Sequence, residues 1–309
     1  MQNIVILGTG GTIAGQAARA DDSVGYCAGT LGVQALIDAV PPLHAWPLEA
    51  EQVANLDSKD MDAATWQRLA QRAAHHLARP EVGGVVVTHG TDTLEETAWF
   101  LHRVLAPAKP LVLTAAMRPA SALSADGPQN LLDAVTLAAE AGAAGVMAVL
   151  AGEVQGAAEL RKRHTIRMEA FRGGDAGPLA LVTDGRVQRL RAWPGGEALG
   201  LAAIGRDPAR WPWVAVLASH ADADGREVRA LVDAGVQGLV VAGTGNGSLT
   251  APLEAALLTA RDAGVAVRRC SRCVDGPVID TPGARLESAS GRSPWQARID
   301  LMLALLAGA

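Results

Sequence analysis

Aromatic side chains are scarce in this chain: seven Trp, two Phe and a single Tyr, Tyr26, among 309 residues. The core must therefore be built from Val, Leu, Ile and Ala. Cysteine is scarcer still, with Cys27 alone and Cys270 and Cys273 separated by two residues. One such pair, with no second pair of ligands near it, predicts incidental or structural thiols and neither a zinc nor a redox centre. The cysteine usage points to a reducing compartment, the cytoplasm. No uncharged apolar run approaches the roughly 18 residues of a membrane helix, so no membrane partner is expected. The apolar tail 301–309 reads as the end of a packed helix. Met1-Gln2-Asn3-Ile4 runs directly into a strand without a charged-then-apolar leader, so no signal peptide is expected. Net charge is −5, with no basic cluster beyond Arg161-Lys162-Arg163-His164. Nothing neutralises many phosphates at once, so nucleic acid is not an expected partner. There is no Gly-Lys-Ser/Thr phosphate loop, and from Gly8 and Gly10 the third position of a dinucleotide fingerprint falls on Ile13. No G-x-S-x-G elbow occurs.

What is present is a foldable composition, 49% hydrophobic and 19% charged, long enough for two domains or one large α/β domain. Buried-type strands at 3–7, around 45–48, at 85–87, 110–113 and 145–150 alternate with helical spacing over 31–40, 63–77 and the stretches that begin near Thr93 and Pro128. Such alternation implies βαβ units and a parallel sheet. His75 and His76 fall in the last turn of the 63–77 helix and read as surface residues suited to its dipole. The pattern fades after Phe171 into a glycine-rich zone expected to be poor in strands. A second α/β series follows, with strands at 213–217, 238–242 and 265–268 and helices over 227–234, 252–262 and 294–306. The expected division is an N-terminal domain 1–190, a linker 191–210 and a C-terminal domain 211–309.

The most informative stretch runs from Val85 to Glu96. Three valines make a strand buried on both faces, Gly90 breaks it, and Thr91, Asp92 and Thr93 crowd the turn into a helix whose apolar face is Leu94, Ala98, Leu101 and Leu105. In open α/β sheets ligands bind at this end of the strands. A plainer reading stays open: Thr93 and Glu96 have capping-box spacing, and the polar residues could serve only to cap the helix.

A second strand end carries hydroxyls, Thr9 and Thr12 in the glycine-dense loop 8–15, and in a parallel sheet the ends of these two strands face the same crevice. A threonine hydroxyl needs a neighbour that takes its proton, and Asp92 and Lys162 are candidates for such a relay. Whether Lys162 is held charged by an acidic partner or pushed towards neutral by desolvation is open. Residues 17–30 read as a mobile loop of the kind that forms lids. Tyr26 within it could close over a substrate or simply pack the loop down. His89 is discounted as a base, because triad members come from separate elements.

These residues resemble a known family. Thr9-Gly10-Gly11-Thr12-Ile13-Ala14-Gly15 and Thr88-His89-Gly90-Thr91-Asp92-Thr93-Leu94-Glu95-Glu96-Thr97-Ala98 are similar to the two signature motifs of the bacterial-type L-asparaginases. Further landmarks recur in order: Tyr26, Asp57-Ser58-Lys59-Asp60-Met61, Ala116-Met117-Arg118-Pro119, Ser124-Ala125-Asp126-Gly127-Pro128, Lys162 before Phe171, and Gly245-Asn246-Gly247-Ser248. The resemblance implies a two-domain α/β fold, the larger N-terminal domain a flavodoxin-like parallel sheet with helices on both faces, and the smaller C-terminal domain also α/β. It implies a homotetramer of intimate dimers that hydrolyses L-asparagine to L-aspartate and ammonia through an acyl-enzyme, without metal or organic cofactor. Thr12 matches the nucleophile and Tyr26 the lid tyrosine; Thr91, Asp92 and Lys162 match the relay. Ser58 matches a ligand of the substrate α-carboxylate, Asp92 also a ligand of the α-amino group, and Ala116 a backbone contact to the side-chain amide. Asn246 and Ser248 fall in the substrate-binding loop of the second domain.

Lys59 stands where many members have Gln, adding a cation beside the substrate carboxylate. Ser248 stands where several have an Asn supplied by the neighbouring subunit. An acidic residue that some members supply from that subunit has no clear match, although Asp280 lies near the region. The expectation is therefore an asparaginase with weak or absent glutaminase activity. The rivals are a dual glutaminase-asparaginase, an amidotransferase subunit, and a non-catalytic amino-acid-binding module. An amidotransferase subunit would carry an extra N-terminal domain not seen here, and the joint retention of Thr12, Tyr26, Thr91, Asp92 and Lys162 argues against a binding module.

Overall fold

A computed structural model describes residues 2–22 and 25–308 of the chain. Met1, Ser23, Val24 and Ala309, which belong to the amino-terminal, loop and carboxy-terminal readings above, lie outside the described residues. The chain divides into two units, 1–202 and 203–309.

The first unit runs β1 (Asn3–Gly10), β2 (Gln16–Ala17), β3 (Tyr26–Cys27), α1 (Val33–Asp38), β4 (Leu48–Leu56), α2 (Ala63–Leu77), β5 (Val82–Thr88) and α3 (Leu94–Leu105). It continues with β6 (Pro110–Thr114), α4 (Gly127–Ala138), β7 (Gly145–Leu150), β8 (Glu153–Gly156), β9 (Leu160–Lys162), β10 (Phe171–Gly173), β11 (Ala180–Thr183) and β12 (Arg186–Arg189). Eight strands form one sheet in the order β12-β11-β8-β7-β6-β5-β1-β4. The run from β4 to β7 is parallel, and β8, β11 and β12 extend it antiparallel.

Alternating side chains of the central strands go to opposite faces. Ile4, Ile6, Val86, Val112 and Met147 share one buried cluster with Leu36 and Ile37 of α1 and Leu131 and Val135 of α4. The intervening Val5, Leu7, Val85, Val87, Leu111 and Leu113 are equally buried on the other face, where α2 packs on β5 and α3 on β7. Gly8, Thr88 and Thr114 stand level in the register. The turns leaving β1, β5 and β6 therefore emerge side by side.

Three expectations need correction. The strand expected near 45–48 runs over Leu48–Leu56. It is an edge strand that alternates apolar and charged residues, so it shows no apolar run. Glu49 and Glu51 on it pair with Arg79 and Arg72, which is also how an edge is protected from further pairing. His76 is buried and not a surface residue: it lies between Glu51, at 2.7 Å from Nε2, and Arg79, at 3.1 Å from Nδ1. His75 is exposed. The zone after Phe171 is not poor in strands, because β11 and β12 form a hairpin over Asp184-Gly185, both with φ positive. That is the Asp-Gly signature of a two-residue hairpin.

The second unit contains β13 (Val214–Ala218), α5 (Arg226–Asp233), β14 (Gly238–Gly243), α6 (Ala251–Asp262), β15 (Ala266–Ser271) and α7 (Pro294–Ala307), with a parallel sheet β13-β14-β15. Its core joins Leu239 and Val241 to Val228, Leu253 and Leu257. Of the stretch read as a linker, Leu199 and Gly200 donate to Arg103 and Val104 carbonyls of the first unit. Among the described residues no helix is long and apolar enough to cross a membrane.

Candidate active site

Thr12 opens a short helical turn just past β1 and is buried. The chain reaches it through Gly10 and Gly11, with φ of 101° and 81°. A Cβ on Gly11 would sit 2.3 Å from the Gly90 nitrogen, and one on Gly90 would sit 2.4 Å from Ser58 Oγ. Glycine at both positions is what lets the turns after β1 and β5 touch each other and Ser58. Gly127 likewise leaves room for Ile13: a Cβ there would meet Ile13 Cγ1 at 2.9 Å.

The Thr12 hydroxyl is 2.6 Å from Tyr26 Oη. Tyr26 is held there because the described residues of the 17–30 stretch are not a structureless loop. β2 and β3 pair antiparallel, Ala17 N donates to Ser121 Oγ, and the amides of Ala120 and Leu123 donate to the Gly15 and Ala20 carbonyls.

After β5, Lys162 Nζ donates to Thr91 Oγ1 at 2.9 Å and forms an ion pair with Asp92 Oδ1 at 2.5 Å. Asp92 is half exposed, whereas Thr91 is buried. The capping-box reading of this turn is overturned: Thr93 makes no side-chain cap bond, and its hydroxyl donates instead to the Ser58 carbonyl at 2.7 Å. Ser58 Oγ accepts the Asp92 N–H at 3.2 Å, which leaves the serine proton available for another acceptor. His89 is fully buried and burial pushes its pKa down to about 4. Its Nδ1 lies 2.7 Å from the Gly90 carbonyl and its Nε2 3.0 Å from Thr97 Oγ1, which also accepts the Trp66 indole N–H. A carbonyl can only accept, so Nδ1 carries the proton, and with the pKa pushed down to about 4 the imidazole is neutral near pH 7 and Nε2 accepts the Thr97 hydroxyl. His89 is a structural residue.

The first unit thus brings Thr12 to Tyr26, joins Thr91, Asp92 and Lys162, and sets Ser58 and Ala116 against the same turns. Lys59 is not turned to that cluster: it is exposed and its ammonium pairs with Asp60, with Asp57 at 3.7 Å. Asn246 and Ser248 belong to the second unit. There the Asn246 amide exchanges two 2.8 Å hydrogen bonds with the Ile279 backbone, and Ser248 pairs with Thr244 through the main chain. Asp280 is gripped by Arg269, at 2.6 Å, and by the Ser288 hydroxyl, at 2.6 Å.

Two supporting carboxylates escaped the sequence reading. Asp126 accepts the Met117 and Arg118 amides at 2.9 and 3.0 Å, fixing the backbone beside Ala116. Glu95, buried in the first turn of α3, accepts the Lys162 amide at 2.9 Å. Acidic residues just before a helix or in its first turn are ordinarily read as caps or dipole partners, and nothing in the local sequence separates Asp126 and Glu95 from that background.

The family model for the asparaginase N-terminal domain matches residues 3–194, and that for the glutaminase/asparaginase C-terminal domain matches residues 213–309. The chain belongs to the asparaginase family. The resemblance read from its motifs is borne out over both units. L-asparaginase 2 of Escherichia coli K12 is 37% identical over 99% of this asparaginase-family chain and 89% of its own length. The glutaminase-asparaginase of Pseudomonas fluorescens biotype A is 34% identical over 99% of the chain and 86% of its own. A crystal structure of a probable cytoplasmic L-asparaginase from Campylobacter jejuni superposes with a TM-score of 0.92 at 37% identity, covering 99% of this chain and 95% of that one.

Proposed function

We propose that this protein is an L-asparaginase that hydrolyses L-asparagine to L-aspartate and ammonia through an ester on Thr12. The observation that carries the reading is the buried Thr12 hydroxyl held 2.6 Å from Tyr26 Oη, beside a second hydroxyl, Thr91, joined to Lys162 and Asp92. Amide hydrolysis through an acyl-enzyme has two steps, and each needs a hydroxyl or water that can lose its proton. In the first, Thr12 Oγ1 attacks the side-chain carbonyl carbon, its proton passes through Tyr26, and the C–N bond breaks as the nitrogen leaves protonated as ammonia. In the second, a water placed by Thr91 attacks the ester, and Thr12 recovers its proton as aspartate departs.

Substrate placement follows from the same residues. The free proton of Ser58 suits the α-carboxylate, Asp92 the α-ammonium, and the Ala116 backbone the amide. Lys59 reaches the α-carboxylate only by leaving Asp60. We also propose Asn246 and Ser248 as substrate-binding residues, from the likeness of the loop Gly245-Asn246-Gly247-Ser248 to that of the family. We further propose a cytoplasmic homotetramer of intimate dimers. The cytoplasmic placement is supported by the name given to the Campylobacter jejuni protein, although another relative, from Haemophilus influenzae, is named as a probable periplasmic L-asparaginase.

Ammonia release from L-asparagine and L-glutamine by the purified protein tests the activity. Turnover of asparagine well above glutamine is expected; comparable rates would make the enzyme a dual glutaminase-asparaginase, and binding without turnover of either would leave a binding module. Thr12→Val should abolish turnover and the hydroxamate formed when hydroxylamine intercepts the ester, with the thermal transition retained. Near-full activity in that variant would refute Thr12 as the nucleophile.

A further inference from the structure

Glu95 takes no part in the reaction just described, yet its carboxylate is buried and its Oε2 accepts the Lys162 backbone N–H. Lys162 needs such an anchor. It ends β9, a strand of three residues whose ladder partner is β10, also of three residues. A two-stranded ribbon of that size has little stability of its own. The Lys162 N–H points out of the ribbon towards α3, and a carboxylate acceptor gives it a charge-assisted bond, stronger than one to a neutral oxygen. The two acceptors of the Lys162 ammonium, Thr91 and Asp92, lie on the same short stretch as Glu95. One segment, 91–95, therefore grips Lys162 at its main chain and at its side-chain tip.

We propose that Glu95 is a positioning residue that sets the reach of Lys162 to Thr91 in the acyl-transfer reaction. The proposal rests on the reading of Thr91, Asp92 and Lys162 as the relay. A loosened ribbon displaces Nζ from Thr91, and a misplacement of about 1 Å costs on the order of 10²-fold in rate.

The test uses the full-length protein with Glu95→Ala, Glu95→Asp, Glu95→Gln and Lys162→Met, measuring kcat, KM, the pH profile of kcat and the thermal transition. Glu95→Ala and Glu95→Asp, the latter one methylene too short to reach the amide, should lower kcat about 10²-fold and displace the pH profile with KM little changed. Glu95→Gln keeps an acceptor oxygen and should recover most of the rate. If Glu95→Ala fails to fold, Glu95→Asp decides the matter by the same readout. Wild-type kcat and pH profile in Glu95→Asp, with Lys162→Met inactive, would overturn the positioning role alone. Near-full activity in Lys162→Met would overturn the relay reading and the proposal with it.

Discussion

Acidification should destabilise this protein through one buried side chain before its carboxylates begin to titrate. His89 is fully buried and its pKa is pushed down by that burial to about 4 from the ordinary 6.5. The unfolded chain takes up a proton on His89 below 6.5, and the folded chain does not until about 4. The contribution is therefore complete above 6.5, is lost as pH falls through that value, and stops changing below about 4. At about 1.4 kcal/mol per pH unit, the loss between about pH 7.5 and about pH 4.5 is about 2.5 kcal/mol. For a unit of this size each kcal/mol moves the thermal midpoint by about 2–4 °C. Urea unfolding of the wild type and His89→Asn across this range measures it. Asn retains a polar group near the Nδ1 position, so the variant should lose stability at neutral pH but lack the histidine's share of the slope. An identical slope in His89→Asn would refute the reasoning. A collapse of activity tracking a pKa near 6.5 and removed by His89→Asn would restore His89 to the chemistry.

Two further outcomes follow from packing and charge. Gly11→Ala places a methyl against the Gly90 backbone at a φ of 81°; backbone strain of about 1–3 kcal/mol should lower the thermal midpoint and separate the two turns, so turnover should fall as well. Glu51 is held at about 2 first by its hydrogen bond to Arg72 and then by His76. Its stabilising effect is present above 4.5 and is lost as pH falls through about 2, so Glu51→Gln should flatten that acid limb in a thermal-denaturation series.

How far the sequence could be read depended on whether the determining contacts were local. Glycine followed by hydroxyls after an apolar β-branched run is a local pattern, and it located Thr12 and Thr91 at strand ends. The boundaries of α2 were equally legible, since a helix with one apolar stripe declares its period. His76 was misread because its partners, Glu51 and Arg79, include one on a different element. β4 was misplaced because an edge strand carrying ion pairs shows no apolar run, and β11 with β12 escaped because four-residue strands offer too few positions for alternation to show.

The sequence by itself determined the alternation of strands and helices, the glycine turns, the identity of the hydroxyls and, through several ordered motifs, the family. Only the tertiary structure decided which of these meet. Gly11 and Gly90 are far apart in the chain, and it is the parallel register of β1 with β5 that presses their turns together. Thr93 looked like a cap and instead bonds Ser58. Glu95, read as nothing in particular, holds Lys162. Hydrogen bonds and ion pairs act over a few ångströms whatever the separation along the chain, so their partners are settled by packing and register, which no local pattern encodes.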